Sequence, residues 1–375
     1  MHSHGGRARS RVRQPCKPPV TPAAPGPMEE PMSDASDIYV QSAGTALPGP
    51  AVDNAALARH FGMPKAWEEW VETFVGTRSR HFAVDLATGD IRYSLADLGE
   101  TAARRALAAA GVEASRIDLV VLGTSSPDLL MPATVNTIAD RLGIDGVATY
   151  QLQSGCAGAV QALDVAVQML RTGRHGTALV MGADSCAKHL DVTMDAARLP
   201  PAEQINGALF GDGAGALVLS TEPSAQGVAV RHVHNRLVGL GREPGQVIDW
   251  YGRAERGRER PPVAEDYKAI EESVPVLAAD VAREVLDVLD WKETEIDYVL
   301  PPQLSGRMTA RIVARLGLTA AHEVSCITDT GNTGNALPFF QLEQLLPRMV
   351  AGDRALAVAV ESSKWIQAGF ALEKA

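Results

Sequence analysis

The sequence predicts an α/β fold in which mostly buried strands alternate with amphipathic helices. Continuous apolar runs such as Leu119–Leu122 fit strands that are covered on both faces of a sheet. Apolar residues recur with the 3.6-residue period of a helix over 95–110 and 268–289. Glycines such as Gly111 and Gly143 follow these periodic segments and supply stop signals.

Taken in order, each half of the chain alternates strand and helix. Buried apolar or β-type runs predict strands at Ile38–Ala43, 118–123, 178–182, 216–220, 298–300, 355–360 and 369–372, and a further strand that leads into Cys156. Helical spacing predicts helices that begin near Asn54, at 95–110, 133–142, from Cys156 to about Thr172, 268–289 and 339–347. The similarity between the two halves is too weak to establish a repeat from the sequence.

The composition narrows the classes of function. The chain has 375 residues, of which 46% are apolar, so it can bury a large core as two domains or one large fold. Its net charge of −10 disfavours nucleic acid as a partner, because neutralising phosphates requires a basic surface. We find no membrane-spanning apolar run and no signal peptide, which predicts a cytoplasmic protein without a membrane partner.

The four cysteines lack the spacing of a disulfide framework or a zinc site, so no metal is predicted. They are Cys16, Cys156, Cys186 and Cys326.

We predict a disordered tail over 1–36, an N-terminal half over 37–221 and a C-terminal half over 222–375. The tail is rich in Arg, Pro and Gly and has too few large apolar residues to form a core. Met28 or Met32 could be the true start, and a transit peptide is an alternative that the prolines disfavour. Residues 241–262, with four arginines between 253 and 260, are typical of a mobile surface loop.

Cys156 is the strongest candidate nucleophile. It stands where a strand passes into an alanine-rich helix, so the helix dipole and free N–H groups should lower its thiol pKa from about 8.5. Gly155, Ala157 and Gly158 would let a thioester approach the sulfur, and nearby N–H groups could stabilise an oxyanion. The alternative is a buried structural cysteine.

Four motifs in one order resemble a known family. They are Gln153-Ser154-Gly155-Cys156-Ala157-Gly158, the glycine turn 210–216, Glu69-Trp70 followed by 76–81, and Gly331-Asn332-Thr333. Over residues 38–375 the chain resembles the thiolase-fold condensing enzymes, specifically the ketoacyl synthase III family. The resemblance implies a five-layered αβαβα fold with two pseudo-equivalent halves, a homodimer, and a tunnel for a pantetheine-linked acyl group.

The resemblance also implies a mechanism and a set of site residues. Cys156 would take an acyl group from an acyl carrier protein or coenzyme A thioester, which is a substrate, so no cofactor is expected. Asn332 would help to stabilise the enolate that forms when a malonyl thioester decarboxylates. The other residues that the resemblance places along the substrate path are Trp70, Met131, Leu209, Phe210, Ser305 and Ser362.

The chain departs from the family pattern at three places. Pro302 stands where the family has its catalytic histidine, and a proline side chain neither donates a hydrogen bond nor accepts a proton. Residues 361–365, Glu-Ser-Ser-Lys-Trp, replace a glycine-rich loop that helps to form the acyl oxyanion hole. Phe74 aligns with an arginine that contacts coenzyme A, which weakens the case for a coenzyme A donor. A carrier protein could instead meet the arginine loop 253–260, unless that loop is merely solvated.

Other side chains could supply the missing acid–base group. His189, or the pair His232 and His234, are the histidines that we consider as replacements. Glu361, Asp329 and Ser362 are other polar residues near aligned active-site segments, and each could position an acceptor or take its proton.

Three functions remain open. The first is an acyltransferase of ketosynthase ancestry that moves an acyl group through Cys156 to a nucleophile on a small molecule or carrier protein, in specialised, polyketide-like biosynthesis. The second is a decarboxylative 3-oxoacyl-carrier-protein synthase with a rebuilt second oxyanion hole. The third is a non-catalytic partner subunit of a heterodimeric ketosynthase. We favour the first, because the departures fall on the decarboxylation chemistry.

Overall fold

The computed structural model describes residues 37–189, 201–249 and 263–374, and all structural statements concern these residues. The predicted tail 1–36, with Cys16, and the arginine loop 253–260 lie outside them. The strands are β1 (Tyr39–Ala46), β2 (Val52–Asp53), β3 (Ser79–Arg80), β4 (Leu119–Thr124), β5 (Ala148–Gln153), β6 (Thr177–Asp184), β7 (Gly213–Ser220), β8 (Val228–Leu237), β9 (Gln246–Ile248), β10 (Val263–Glu265), β11 (Tyr298–Leu300), β12 (His322–Glu323), β13 (Arg354–Glu361) and β14 (Ile366–Glu373). The α-helices are α1 (Asn54–His60), α2 (Lys65–Trp70), α3 (Leu95–Ala110), α4 (Thr134–Leu142), α5 (Gly158–Arg171), α6 (Pro201–Leu209), α7 (Tyr267–Leu289), α8 (Gly306–Leu316), α9 (Ile327–Thr330) and α10 (Leu337–Leu345).

Ten strands form one hydrogen-bonded sheet in the order β12-β11-β13-β14-β8-β1-β7-β6-β4-β5. Within this sheet, the set formed by β1 and β4–β7 and the set formed by β8 and β11–β14 repeat one topology. In each set the first strand pairs antiparallel with the last, and the three other strands run parallel to one another. The sets meet through a short antiparallel contact of β1 with β8. The two halves are therefore pseudo-equivalent, and the predicted boundary at 221/222 lies in the connection between β7 and β8.

Five layers follow from the side chains that each strand presents to its two faces. On β4, Leu119 and Val121 pack on the cluster that contains α5 and α10, whereas Val120 and Leu122 pack on α3 and α4. On β13, Ala357 and Ala359 belong to the same central cluster, whereas the alternate residues pack on α7 and α8. Helices α5 and α10 therefore lie between the two sets of strands, and the predicted five-layered thiolase fold is confirmed.

Most predicted elements appear within a few residues of their expected bounds. Helix α3 has the predicted bounds, because Ser94 and Asp97 form a capping box and Gly111, at φ 65°, ends the helix. The predicted glycine turn is partly strand, since β7 begins at Gly213. The predicted loop 241–262 contains β9, which pairs with β10 beyond it. No helix in the described ranges is both long and apolar enough to cross a membrane.

One close backbone contact sets the distance between β4 and α5. A Cβ atom on Gly123 would lie 2.2 Å from the carbonyl oxygen of Gly158. We expect Gly123→Ala to lower the free energy of unfolding by about 1–3 kcal/mol, because one of the two backbones must move. Chemical denaturation measures this change. Gly176→Ala is the matched control, because its Cβ would meet nothing nearer than 3.8 Å; an equal loss in both variants would contradict the explanation.

Candidate active site

Cys156 lies in the turn between β5 and α5. The strand ends at Gln153 and the helix begins at Gly158, so the cysteine precedes the helix by two residues. It therefore lies just before the first turn of the helix, not within it as predicted. The residue is half-buried and its thiol is free.

Two side chains hold this turn in place. Asn335 comes from the C-terminal half of the chain, and Asp184 is the last residue of β6. The Asn335 side chain accepts a hydrogen bond from the backbone N–H of Ala159 at 2.9 Å and donates one to the carbonyl of Ser154 at 3.1 Å. Asp184 Oδ2 in turn accepts from the backbone and side-chain N–H groups of Asn335, each at 2.8 Å. The other oxygen of Asp184 accepts from Ser125 and Ser126. These contacts fix the position of Cys156 before any substrate binds.

Cys156 opens onto a cavity of about 30 Å³. Its lining residues are Cys156, Pro301, Pro302, Gln303, Leu304, Asn332, Gly334, Leu337, Pro338, Gln341 and Val358–Val360. The enclosed space suffices for one or two water molecules. The cavity brings together Cys156, Asn332 and Pro302, which the sequence analysis had placed in one site. Within this described lining, Cys156 is the only ionisable side chain.

The glycine turn and the end of α6 hold Asn332. Its backbone N–H donates to the carbonyl of Leu209 at 2.8 Å, and its carbonyl accepts from Gly211 at 3.0 Å. Phe210 forms an isolated parallel bridge with Asn332. The side-chain oxygen accepts from the N–H of Gly334 at 3.0 Å, while the amide nitrogen donates to Leu304 only at 3.4 Å. The second N–H of this amide is therefore available for an oxyanion in the cavity.

The predicted decrease in the pKa of Cys156 is wrong. Burial raises the pKa of its thiol to about 12, and the carboxylates of Glu361 and Asp184 add to the increase. Desolvation and negative charge both penalise the thiolate. Cys156 is thus a protonated thiol at neutral pH.

This pKa predicts how the free enzyme reacts with iodoacetamide. We expect the alkylation rate of Cys156 to increase about tenfold per pH unit from pH 7 to pH 10, because the thiolate fraction grows throughout this range. Peptide-resolved mass spectrometry at each pH separates Cys156 from the other cysteines. A plateau above pH 8 would contradict the raised pKa.

Glu361 is the last residue of β13 and is buried beside the nucleophile turn. Its Oε2 accepts a hydrogen bond from Ser154 Oγ at 2.6 Å, and the N–H of Ala157 lies 3.4 Å from the same oxygen. Ser363 donates to the other carboxylate oxygen. Of the polar residues considered in place of a histidine, Glu361 is therefore the one that contacts the cysteine turn. Asp329 instead pairs with Arg78 at 2.8 Å on the surface.

The other predicted binding residues lie outside the described lining of this cavity. Trp70 and Leu209 pack on one hydrophobic cluster, and Trp70 stacks at a tilt on Phe74 with 6.2 Å between the rings. Met131 is 85% exposed on the loop after β4. Ser305 caps α8 by accepting from the N–H of Met308 at 3.1 Å. Ser362 is buried, and its carbonyl accepts from Gly245 at 2.9 Å.

The three candidate histidines are likewise absent from the described lining. His234 is buried, with its ring nitrogen 3.9 Å from Glu284 of α7. Burial lowers the pKa of His232 and of His234, and the proximity of the two rings lowers that of His232 further. His189 ends a 3-10 turn that starts at Cys186, and burial lowers its pKa as well.

Sequence reasoning missed three residues that build the site. Asp184 and Asn335 form the support described above, and Gln303 accepts from the N–H groups of Cys326 and Ile327 at 2.9 and 2.7 Å. Asp184 is the last residue of a buried strand, and Gln303 follows another by three residues. A polar residue at the end of a buried strand is the sequence signal that could have identified them. The buried Arg80 in the 76–81 motif donates to the carbonyl of Ala208, and burial lowers its pKa to about 10.

The chain resembles proteins of known family over most of its length. Residues 150–236 match the family model for 3-oxoacyl-[acyl-carrier-protein (ACP)] synthase III, and residues 286–362 match the model for its C-terminal part. A β-ketoacyl-[acyl-carrier-protein] synthase III of Novosphingobium aromaticivorans is 32% identical over 79% of this chain and 86% of its own.

Solved structures give the same result. The tetronic acid condensing enzyme AbyA1 is 58% identical, with a TM-score of 0.87 over 90% of this chain and 99% of its own. The priming β-ketosynthase of the R1128 polyketide pathway is 26% identical, with a TM-score of 0.75 over 92% of this chain and 98% of its own. The cavity at Cys156 therefore lies in a fold shared with these enzymes, and the chain belongs to the 3-oxoacyl-[acyl-carrier-protein] synthase III family of thiolase-fold condensing enzymes.

Proposed function

We propose that this protein condenses two acyl thioesters without decarboxylation and closes a tetronic acid ring. The observation that carries this proposal is the cavity in which Cys156 and Asn332 face Pro302, with the thiol as the only ionisable side chain in the described lining. This set provides a nucleophile and one amide donor. It does not provide the histidine that the family resemblance pairs with Asn332 for decarboxylation, so we propose that Pro302 replaces that histidine.

A 3-oxoacyl thioester makes the missing histidine dispensable. Its C2 lies between two carbonyl groups, which acidify the C–H bond, so no carboxyl group has to leave to generate the carbanion. Asn332 would stabilise the resulting enolate through its free N–H. The relative AbyA1, 58% identical to this chain, is named as a tetronic acid condensing enzyme. A tetronic acid is a five-membered enolic lactone, which one 3-oxoacyl thioester and one 2-hydroxyacyl thioester can form together.

The proposed sequence balances in three steps. Cys156 attacks the 3-oxoacyl thioester, a C–S bond forms, and the first carrier thiol leaves with the proton of Cys156. The hydroxyl of a 2-hydroxyacyl thioester then attacks the Cys156 thioester, which forms the ester C–O bond and returns the proton to the cysteine. Finally, C2 attacks the second thioester carbonyl, a C–C bond closes the ring, and the second thiol leaves with the C2 proton. The second step is the acyl transfer to an oxygen nucleophile that the sequence analysis favoured.

Malonyl thioester separates this function from decarboxylative synthesis. We expect acetoacetyl-coenzyme A to label Cys156 in intact-mass spectrometry, and malonyl-coenzyme A to release little carbon dioxide from the acylated enzyme. Pro302→His should then increase carbon dioxide release, because it supplies a second donor opposite Asn332. Rapid decarboxylation by the wild type would favour the 3-oxoacyl synthase alternative. A wild type that forms no acyl adduct with either coenzyme A or carrier-protein thioesters would favour the non-catalytic subunit.

Two other properties remain proposals. We propose a homodimer, and size-exclusion chromatography with light scattering measures it directly. Leu129, Leu130 and Met131 are 56%, 75% and 85% exposed on one loop, which would be unusual for a monomer surface.

We also propose that the acyl donor reaches the enzyme on an acyl carrier protein, since Phe74, 50% exposed beneath Arg307, presents an apolar ring where the resemblance places an arginine.

A further inference from the structure

Glu361 brings a carboxylate against both sides of the nucleophile. Its hydrogen bonds reach Ser154 before Cys156 and Ala157 after it. A Cβ atom on Gly155 would lie only 3.1 Å from the Glu361 carboxyl carbon, so the carboxylate also packs on the residue adjacent to the cysteine. Glu361 is 4% exposed. The carboxylate thus contacts the residues on both sides of the reactive cysteine.

Hydrogen bonding alone does not explain a charged group at this place. In the described residues the partners of the carboxylate are the hydroxyls of Ser154 and Ser363 and the N–H of Ala157. A glutamine would keep one oxygen for Ser154 and Ala157, and its amide nitrogen would donate to the Ser363 hydroxyl instead of accepting from it. Burying a carboxylate costs considerably more free energy than burying an amide, so a chain that only needed to position the turn would be more stable with glutamine.

The chemistry of Cys156 requires a proton acceptor. Because burial raises the pKa of the thiol, attack on a thioester must be coupled to removal of the proton. The described lining of the cavity contains no side chain other than the thiol that exchanges a proton. Glu361 directly follows the lining residues Val358–Val360, and among the charged groups around Cys156 it has the largest effect on the thiol.

We propose that Glu361 accepts the proton of Cys156 as the sulfur attacks the donor thioester and passes that proton to the departing thiol. The Cys156 sulfur forms a bond to the acyl carbon, the donor C–S bond breaks, and the carboxylate is regenerated when the donor thiolate takes the proton. No oxidant or other reactant is required. The role deepens the proposed function and rests on it for the acyl-loading step.

Glu361→Gln separates proton transfer from positioning. It keeps the size of the side chain and an oxygen for Ser154, but it removes the charge. In single-turnover loading from acetoacetyl-coenzyme A at pH 7, we expect the rate to fall by about 10²-fold or more. We expect alkylation of Cys156 by iodoacetamide to become faster in the same variant, since a negative charge that disfavours the thiolate is gone. If Glu361 had only a structural role, the variant would slow both loading and alkylation. If it had only an electrostatic effect on the thiol, the variant would speed up both.

Glu265→Gln is the matched control. Glu265 also raises the pKa of Cys156, but its carboxylate accepts from the amides of Asn206 and Gln246, at 2.9 and 2.5 Å, not from the nucleophile turn. We expect this variant to load within about threefold of the wild type. Glu361→Asp keeps a carboxylate and should load faster than Glu361→Gln.

Three results would overturn the role of Glu361. They are unchanged loading in Glu361→Gln, an equal loss of loading in Glu265→Gln, and equal rates for the aspartate and glutamine variants. Failure of the proposed function gives a different result: the wild type is alkylated at Cys156 but accepts no acyl group from either coenzyme A or carrier-protein thioesters.

Discussion

Replacing Cys156 with alanine is expected to abolish the acyl-enzyme adduct and to lower turnover by roughly 10⁴-fold or more. The reason is that the sulfur is the only nucleophile in the described lining of the cavity. Intact-mass spectrometry after mixing with acetoacetyl-coenzyme A detects the adduct, and release of coenzyme A measures turnover.

The variant should keep its fold. The turn is held by the hydrogen bonds of Asn335 to Ser154 and Ala159, and by the complete burial of Ala157. None of these contacts involves the thiol. Circular dichroism and the midpoint of denaturation should therefore match those of the wild type. An adduct that survives Cys156→Ala would place the nucleophile elsewhere and refute both enzymatic explanations.

Replacing Asn332 with aspartate should separate the second half of the reaction from the first. The oxygen that accepts from Gly334 is kept, whereas the N–H that would donate to the enolate is lost. We expect condensation to slow by about 10²–10³-fold, the usual loss for one oxyanion donor. Loading of Cys156 should fall less than condensation does, because that step does not generate the enolate and is slowed only by the added negative charge.

Rapid-quench mass spectrometry follows both steps in one experiment. The variant should accumulate the acyl-enzyme, whereas the wild type should consume it. If Asn332→Asp condensed as fast as the wild type, the amide would have no part in stabilising the enolate. If loading fell equally, Asn332 would act on the first step instead.

Local signals in the sequence predicted most of the elements and the centre of the site. Helix α3 was predicted with its observed bounds because its start and its end are encoded within a few residues, by Ser94 with Asp97 and by Gly111. The strand Tyr298–Leu300 was likewise found where its apolar run stands. Cys156 and Asn332 were identified through short motifs, and the structure places them in one cavity.

The features that the sequence could not predict depend on contacts between distant residues. The hydrogen bond of Ser154 to Glu361 joins residues 207 positions apart, and that of Asn335 to Asp184 joins residues 151 apart. The pKa of Cys156 shows the consequence. The helix terminus, visible in the sequence, predicts a lower value, but burial and the charge of Glu361, which arrive only with the fold, raise it.

The most direct test of the central claim is the stoichiometry of the reaction between two thioesters. We mix the enzyme with acetoacetyl and glycolyl thioesters, on coenzyme A or on carrier proteins, and count free thiols, carbon dioxide and product by mass spectrometry. The proposed function predicts two thiols released for each 3-acetyl tetronic acid formed, with no carbon dioxide. A product that forms only from malonyl thioester, with one carbon dioxide released for each C–C bond, would contradict it.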